Sequence, residues 1–432
     1  MIGEPMGISA LVTVVVIALW ATSRLPEYLV ALLFFVAVMV LQLAPAAVVF
    51  SGFASSAFWL VLSGFVLGTA IRSTGLADRL ANRILPLLAG SWLRLVGGVV
   101  AISYALAFVM PSNMGRITLL MPIIMALAGR AGLGEGTRGR YGLALAVGFG
   151  TFQLSASILP ANVPNLVMSG AAESAFGIHF TYLSYFMLHA PILGMAKGVL
   201  LTLCICWLFR AQPQRVEKEP EQTVLSAAEW RLILLLLVTV LLWITDSWHG
   251  IAPAWVGLAA ACFCLLPRVG FLTGEQFAAG VNIRTCLYVA GILGLTALVS
   301  HSGLGEWLGK ALLDMMPQTQ GRPFIAFGSL IGITTLLNFV VTANGVPALF
   351  TPLAQVLADG SGLPLMTVLM TQVIGYATPL LPYQASPIVV AMGMGKVPPR
   401  EGLKLCLLVA LLTFGLLVPL DYLWFRVLGW LG

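Results

Sequence analysis

Pro111-Ser112-Asn113-Met114-Gly115-Arg116, with Pro122 beyond it, has a counterpart in Val341-Thr342-Ala343-Asn344-Gly345-Val346, with Pro352 beyond it. Each motif lies in the middle of an apolar stretch, residues 92–130 and 321–358. Each stretch is too long for one bilayer crossing of about 20 residues, and its polar centre leaves no room for two full ones. A re-entrant hairpin reconciles both facts. Its tip can carry non-helical backbone only if protein or a water-filled cavity surrounds it, because lipid offers no hydrogen bonds.

The rest of the chain agrees with a membrane setting. Of 432 residues, 59% are hydrophobic and 9% charged, with a mean hydropathy of +1.00. A soluble chain needs far more charge to dress its surface. Further apolar blocks at 6–23, 28–46, 54–72, 141–172, 181–209, 229–246, 251–267, 284–302, 363–395 and 402–429 predict about ten transmembrane helices. The expected class is an all-α integral membrane protein. The lead into the first block is acidic, a poor signal peptide, so that block is read as a helix. Cys204, Cys206, Cys262, Cys264, Cys286 and Cys406 sit in apolar segments without CxxC spacing and read as small core residues.

Charge sets the expected orientation. With the N-terminus outside, inner loops collect Arg24, then Arg72, Arg79, Arg83 and Arg94, then Arg130, Arg138 and Arg140. Further along they collect Arg210, Arg215, Lys218 and Arg231, then Arg268 and Arg284, then Lys396, Arg400 and Lys404. The outer side keeps Lys310, Arg322 and Arg426. Cytoplasmic loops gather positive charge, which also accounts for the net +6 without invoking nucleic acid. Both termini are then outside.

A polar linker at 210–228 divides the chain into residues 1–209 and 229–432. The first part holds scaffold helices (6–72), a hairpin (92–130), a broken helix (141–172) and a helix (181–209). The second holds scaffold helices (229–302), a hairpin (321–358), a broken helix (363–395) and a helix (402–429). Phe53…Ser73-Thr74-Gly75-Leu76 is echoed by Phe277…His301-Ser302-Gly303-Leu304. Leu159-Pro160-Ala161-Asn162-Val163-Pro164-Asn165 is echoed by Pro379-Leu380-Leu381-Pro382-Tyr383-Gln384-Ala385-Ser386-Pro387. An odd number of spans separates matching points, so the halves are expected upside-down relative to one another. Inverted repeats with broken helices at matching positions point to a transporter's midplane site.

Hairpin tips and broken helices leave helix termini unsatisfied inside the membrane. Free N–H groups at positive dipole ends suit an anion, and free carbonyls suit a cation. Ser112, Asn113, Thr342, Asn344, Asn162, Asn165, Gln384 and Ser386 add donors and acceptors there. They serve a ligand or merely cap broken helices. Arg116 is expected deep in the bilayer, where a lone guanidinium costs several kcal/mol or more. It pairs with an anionic substrate, replaces a bound cation, or bonds to hairpin carbonyls. Lys197 reads as a snorkelling or interface lysine, with His189 on a shared helix face. Asp421, near the outer end of the last span, is expected to pair locally or face water. No His/Cys/carboxylate cluster, phosphate loop or nucleophile elbow appears, so no enzyme is expected.

At these residues the chain resembles, over nearly its whole length, the divalent anion/sodium symporter family: dicarboxylate, citrate and sulfate carriers of the wider ion-transporter superfamily. Members carry Ser-Asn-Thr at both tips and a Gly-Thr-Pro-Pro-Asn-like break. Here Ser112-Asn113-Met114 keeps two of three at the first tip, and Thr342-Ala343-Asn344 departs from the pattern. Ala161-Asn162-Val163-Pro164-Asn165 keeps the Pro-Asn end, while Gln384-Ala385-Ser386-Pro387 keeps one proline. The resemblance implies a homodimer with a static scaffold and a mobile unit, holding hairpins and broken helices, that moves like an elevator. It implies candidate sodium sites at Ser112, Asn113 and Asn162, and at Thr342, Ala343, Asn344 and Ala385. Substrate carboxylates would lie between the tips. Arg116 stands where the family usually has a small or hydroxyl residue, and a fixed cation there could replace a sodium ion.

The expected protein is thus an inner-membrane carrier of a small anion, a dicarboxylate in the first instance, either sodium-coupled or a sodium-independent exchanger. Candidate substrate residues are Ser112, Asn113, Met114, Arg116, Asn165, Thr342, Ala343, Asn344, Gln384, Ser386 and Pro387. A cation/proton antiporter or metalloid-efflux permease of the same superfamily would need intramembrane Asp or Glu near a tip or break. A membrane-embedded enzyme or assembly subunit would lack the doubled pattern. Cysteines placed at Gln222 and Ser247 should label from inside and outside respectively; the reverse result would overturn the topology.

Overall fold

The computed structural model describes residues 4–22, 24–76, 79, 88, 90–214, 224–315 and 321–431. The expected inner cations Arg83, Arg215 and Lys218, and residues 215–223 of the 210–228 linker, lie outside the described residues. Within them all secondary structure is helical. Six described helices are long and apolar enough to cross a bilayer: Ser56–Ser73, Tyr182–Leu208, Ala227–Ile244, Ile283–His301, Pro323–Ser361 and Pro399–Val427. Met6–Trp20, Glu27–Val40, Trp92–Phe108, Pro253–Leu265 and Leu365–Tyr376 are apolar but shorter. Interrupting a span divides it into half-helices, so length alone undercounts the crossings expected from hydropathy.

The first hairpin runs through Trp92–Ala105, a tight turn Leu106–Phe108, a non-helical tip, and Asn113–Arg130. Ser112 caps the returning helix, its hydroxyl accepting from the Gly115 N–H at 3.1 Å. Helix Ser56–Ser73 comes close to this tip at Gly64, where a Cβ would sit 2.8 Å from the Pro111 Cβ. The second stretch is tighter. Pro323–Phe350 leaves helical geometry only at Thr342 (φ 57°, ψ 169°), before Thr351–Leu353 leads into Ala354–Ser361. A threonine at positive φ is strained and persists only when its surroundings hold it.

Both broken spans have the same construction. Arg138–Ser155 ends before the turn Leu159–Ala161 and Val163–Phe176; Leu365–Tyr376 ends before the turn Pro382–Gln384 and Ser386–Met394. Asn162 (φ −143°, ψ 135°) and Ala385 (φ −131°, ψ 99°) are extended caps, each followed by a proline in the first turn, Pro164 and Pro387. Proline is at home there because that N–H has no helical partner. Gly75 and Gly303 both adopt φ 75° at the ends of Ser56–Ser73 and Ile283–His301. Tyr182–Leu208 and Pro399–Val427 each contain a π-helical segment, Ala190–Ala196 and Thr413–Leu417.

Packing divides these helices between two large cores. One gathers residues of the hairpins, the broken spans and the helices after them, such as Val99, Ile124, Phe149, Leu201, Phe350 and Val373. The other gathers Glu27–Val40, Ser56–Ser73 and Ile283–His301 around Phe34, Phe58 and Ile292. Leu166, Val167 and Ala171 of the first broken span reach into this second core. Cys204, Cys264, Cys286 and Cys406 are buried as expected, whereas Cys262 is exposed, on a face that hydropathy alone could not distinguish from core.

Ile283–His301 packs on Glu27–Val40, and a Cβ on Gly291 would lie 2.4 Å from the Ala31 Cβ. Gly291→Val should therefore destabilise the protein by about 1–3 kcal/mol. Thermal unfolding in detergent checks this against Gly328→Val, where nothing lies within 4 Å of the added Cβ. Equal melting temperatures would refute the tight fit.

Candidate functional site

Arg116 binds the first tip to the first break. It is fully buried, and its guanidinium donates to the Met110 carbonyl and Asn113 Oδ1. It also donates to the carbonyls of Thr151 at 3.3 Å and Ala161 at 3.1 Å. Asn113 Nδ2 donates to Asn162 Oδ1 at 2.8 Å, and Ser155 Oγ to Asn113 Oδ1 at 3.2 Å. Removing a guanidinium from water costs several kcal/mol, and these four oxygens offset part of that by accepting its hydrogen bonds. Of the three roles open to Arg116, its contacts are those of a cation held by carbonyls.

The second break is held by Lys197. It too is fully buried, so the snorkelling expectation is corrected. Its Nζ donates to the Ala377 carbonyl and to Thr378 Oγ1, each at 2.8 Å. Lys197 lies near the middle of the apolar helix Tyr182–Leu208, and that position was the available signal. Asp421 is likewise corrected. It has no exposed surface, and neither carboxylate oxygen has a hydrogen-bond partner. Sequence distance from the end of a span does not reveal which way the helix face turns.

Asn165 and Gln384 serve the breaks themselves. Asn165 Nδ2 donates to Ala156 and Ile158 carbonyls at 3.1 and 2.9 Å, and its Oδ1 accepts from the Tyr376 hydroxyl at 2.7 Å. Gln384 Oε1 accepts from the Leu380 and Leu381 N–H groups at 2.7 and 2.9 Å. Each is the capping role weighed against ligand contact from the sequence.

A cavity of about 270 Å³ opens where the two tips meet. Ser112, Asn113, Met114, Asn344, Ser386 and Pro387 line it. Arg116, Asn165, Thr342, Ala343, Gln384 and Ala385 do not, so the structure brings together part of the candidate substrate set and places the rest behind it. With Val163, these lining residues stand at the beginnings of the helical segments starting at 113, 163, 343 and 386. Helix N-termini carry partial positive charge and free N–H groups, so four of them around one cavity favour an anion. Glu27, Asn282, Thr285 and Tyr288 complete the wall; sequence reading missed them because only the packing of the two parts brings them there. An adjoining cavity of about 200 Å³ shares Ser112, Met114 and Asn282 and continues to Arg72.

An all-helical membrane protein with such a cavity at the meeting point of two interrupted helices is built as a transporter. The sodium:sulfate symporter transmembrane region matches residues 6–431, and the chain belongs to that family of divalent anion carriers. An L-tartrate/succinate antiporter of Escherichia coli (strain K12) is 25% identical over 400 residues, covering 87% of this chain and 80% of the relative. A membrane protein of Cupriavidus necator is 24% identical over 399 residues, covering 88% and 76%. The solved Alcanivorax borkumensis YdaH transporter has a similar fold, with a TM-score of 0.59 at 14% identity over 89% of this chain and 88% of its own.

Asn165→Ala would take the Oδ1 acceptor from the Tyr376 hydroxyl, while the Ala156 and Ile158 carbonyls would keep the Tyr185 hydroxyl and the Ala161 N–H as donors. Each buried group left unsatisfied costs about 1–3 kcal/mol. The variant should melt well below the parent in detergent, and an unchanged melting temperature would show that water replaces the amide.

Proposed function

We propose that this chain exchanges small dicarboxylates across the inner membrane by an elevator-like movement, without sodium. The observation that carries the reading is the cavity ringed by four helix beginnings, with serine and asparagine side chains and no cation in its wall. Such a wall recognises an anion through N–H groups and hydroxyls. The antiporters that resemble this chain are named for tartrate and succinate, which fits a cavity of about 270 Å³.

A fixed cation at each break supports independence from sodium. At the first, the Arg116 guanidinium already holds the Met110 and Ala161 carbonyls and Asn113 Oδ1. At the second break, the Lys197 ammonium holds Ala377 and Thr378. Either cation offsets an anion's charge as a sodium ion would.

The proposal includes two inverted repeats, 1–209 and 229–432, supported by the matched caps, prolines and positive-φ glycines. The two cores, largely built from different helices and bordered by the first broken span, support a mobile unit of hairpins and broken spans moving against a scaffold. With the N-terminus outside, the cavity opens past Arg72 to the cytoplasm. A homodimer is also part of the proposal, since the outward Trp230, Leu234, Leu237 and Leu241 need lipid or a second copy against them.

In proteoliposomes, Arg116→Ala should abolish or greatly weaken uptake of labelled succinate against internal tartrate. Unchanged uptake would assign Arg116 a purely structural role. Replacing sodium by choline should leave parent uptake nearly unaltered, and strict sodium dependence would refute the fixed-cation reading.

A further inference from the structure

Behind the second break lies an ionisable cluster that the cavity does not use. Among the described residues, the acidic and basic side chains with no exposed surface are Arg116, His189, Lys197 and Asp421. Lys197 and Asp421 lie within electrostatic reach of one another. Lys197 nevertheless directs its hydrogen bonds to Ala377 and Thr378, leaving both Asp421 oxygens unpartnered. His189 Nε2 stands 3.4 Å from Met370 Sδ, and its Nδ1 is unpartnered. The two helices that carry the cluster touch at their π-helical segments, Ala190–Ala196 and Thr413–Leu417. His189 and Lys197 flank the first, and Asp421 follows the second. π-Helical segments displace the backbone ladder and are frequent at functional sites.

A buried carboxylate with no hydrogen-bond donor is held by charge alone, so its protonation answers to the charges around it. Arg116, Lys197 and Asp421 all lie among the hairpins, the broken spans and the helices after them. With Asp421 ionised, these fixed charges leave a single positive charge. With Asp421 protonated they leave two, which match a dianion.

We propose that Asp421 is a proton-binding site of this carrier, and that a solvent proton adds to its carboxylate as a dianion binds between the tips. The fully buried charges and the dianion then sum to zero when the loaded unit moves through the bilayer. The inference rests on the anion-carrier reading above. Linkage is reciprocal: the dianion strengthens proton binding, and protons strengthen dianion binding by the same factor. Dianion affinity therefore falls as pH rises.

Other titratable groups on the packed elements have separate engagements. Tyr185 donates to the Ala156 carbonyl, Tyr376 to Asn165, and Tyr104 bonds with Ser157. Asp246 accepts from the Tyr182 N–H, and Cys406 is a buried thiol. Arg94, Arg138, Arg140 and Tyr141 stand in the first turns of their helices, as do Arg400 and Glu401 in the last span, and Lys404 pairs with Glu401. Tyr422 packs on Phe324 and Phe327, and Arg322 and Arg426 are exposed.

Binding-linked proton uptake tests this. L-Tartrate, a full dianion above about pH 6, is added to purified protein in weakly buffered detergent with a pH indicator. The parent should take up about one proton per tartrate bound, and its affinity should weaken by up to about tenfold per pH unit as pH rises through the range where that uptake is seen. Asp421→Asn should bind tartrate with no proton uptake and no pH dependence, while Asp421→Glu should retain both. Tartrate binding by the parent without proton uptake would overturn the inference and leave the carrier reading standing. Undiminished uptake in Asp421→Asn would overturn it by placing the proton elsewhere, His189 included. If neither tartrate, succinate nor sulfate binds at any pH, the carrier reading falls and this inference with it.

Discussion

A helix interrupted inside hydrocarbon exposes carbonyl groups that lipid cannot satisfy, and the rest of this molecule is arranged around supplying them with donors. Two long basic side chains do so. Arg116 gathers the Met110, Thr151 and Ala161 carbonyls at the first break, and Lys197 takes the Ala377 carbonyl at the second. Asn165 supplies two more donors at the first break, and at the second Gln384 does the reverse, accepting from the Leu380 and Leu381 N–H groups. A cation attached to the chain stabilises these carbonyls at every stage of a transport cycle, whereas a diffusible ion does so only when bound. That distinction underlies the proposed independence from sodium.

With the carbonyl ends neutralised from behind, the opposite ends of the same interruptions face the cavity. The segments beginning at 113, 163, 343 and 386 all contribute to its wall. The positive ends of helices thus face the ligand, and the full cations stand outside the lining. In the proposed scheme, recognition by N–H groups and hydroxyls tolerates several small anions, while the fixed charge behind them sets the valence that is balanced. Asp421 enters here as the adjustable charge in the proposed scheme, because it alone among the fully buried acidic and basic groups has neither a hydrogen-bond partner nor a ring nitrogen against a thioether.

Much of this was legible in the chain itself. Apolar blocks of bilayer length set the helical membrane class, and the paired polar interruptions located both tips and both breaks within a few residues. The site was legible in part. Ser112, Asn113, Asn344, Ser386 and Pro387 line the cavity as their positions suggested. Arg116, Asn165 and Gln384 are equally close in sequence but turn toward carbonyls or N–H groups of the break, since side-chain direction on an irregular segment depends on dihedrals that no periodicity encodes.

The sequence by itself determined the membrane class, the interrupted helices and the presence of charges that bury only at a price. Tertiary structure decided which oxygens those charges meet. Lys197 is separated from Ala377 by 180 residues, and Glu27 shares a cavity with Asn344 and Ser386. Such pairings leave no local signature, because they follow from how one set of helices packs on another and not from the pattern within either.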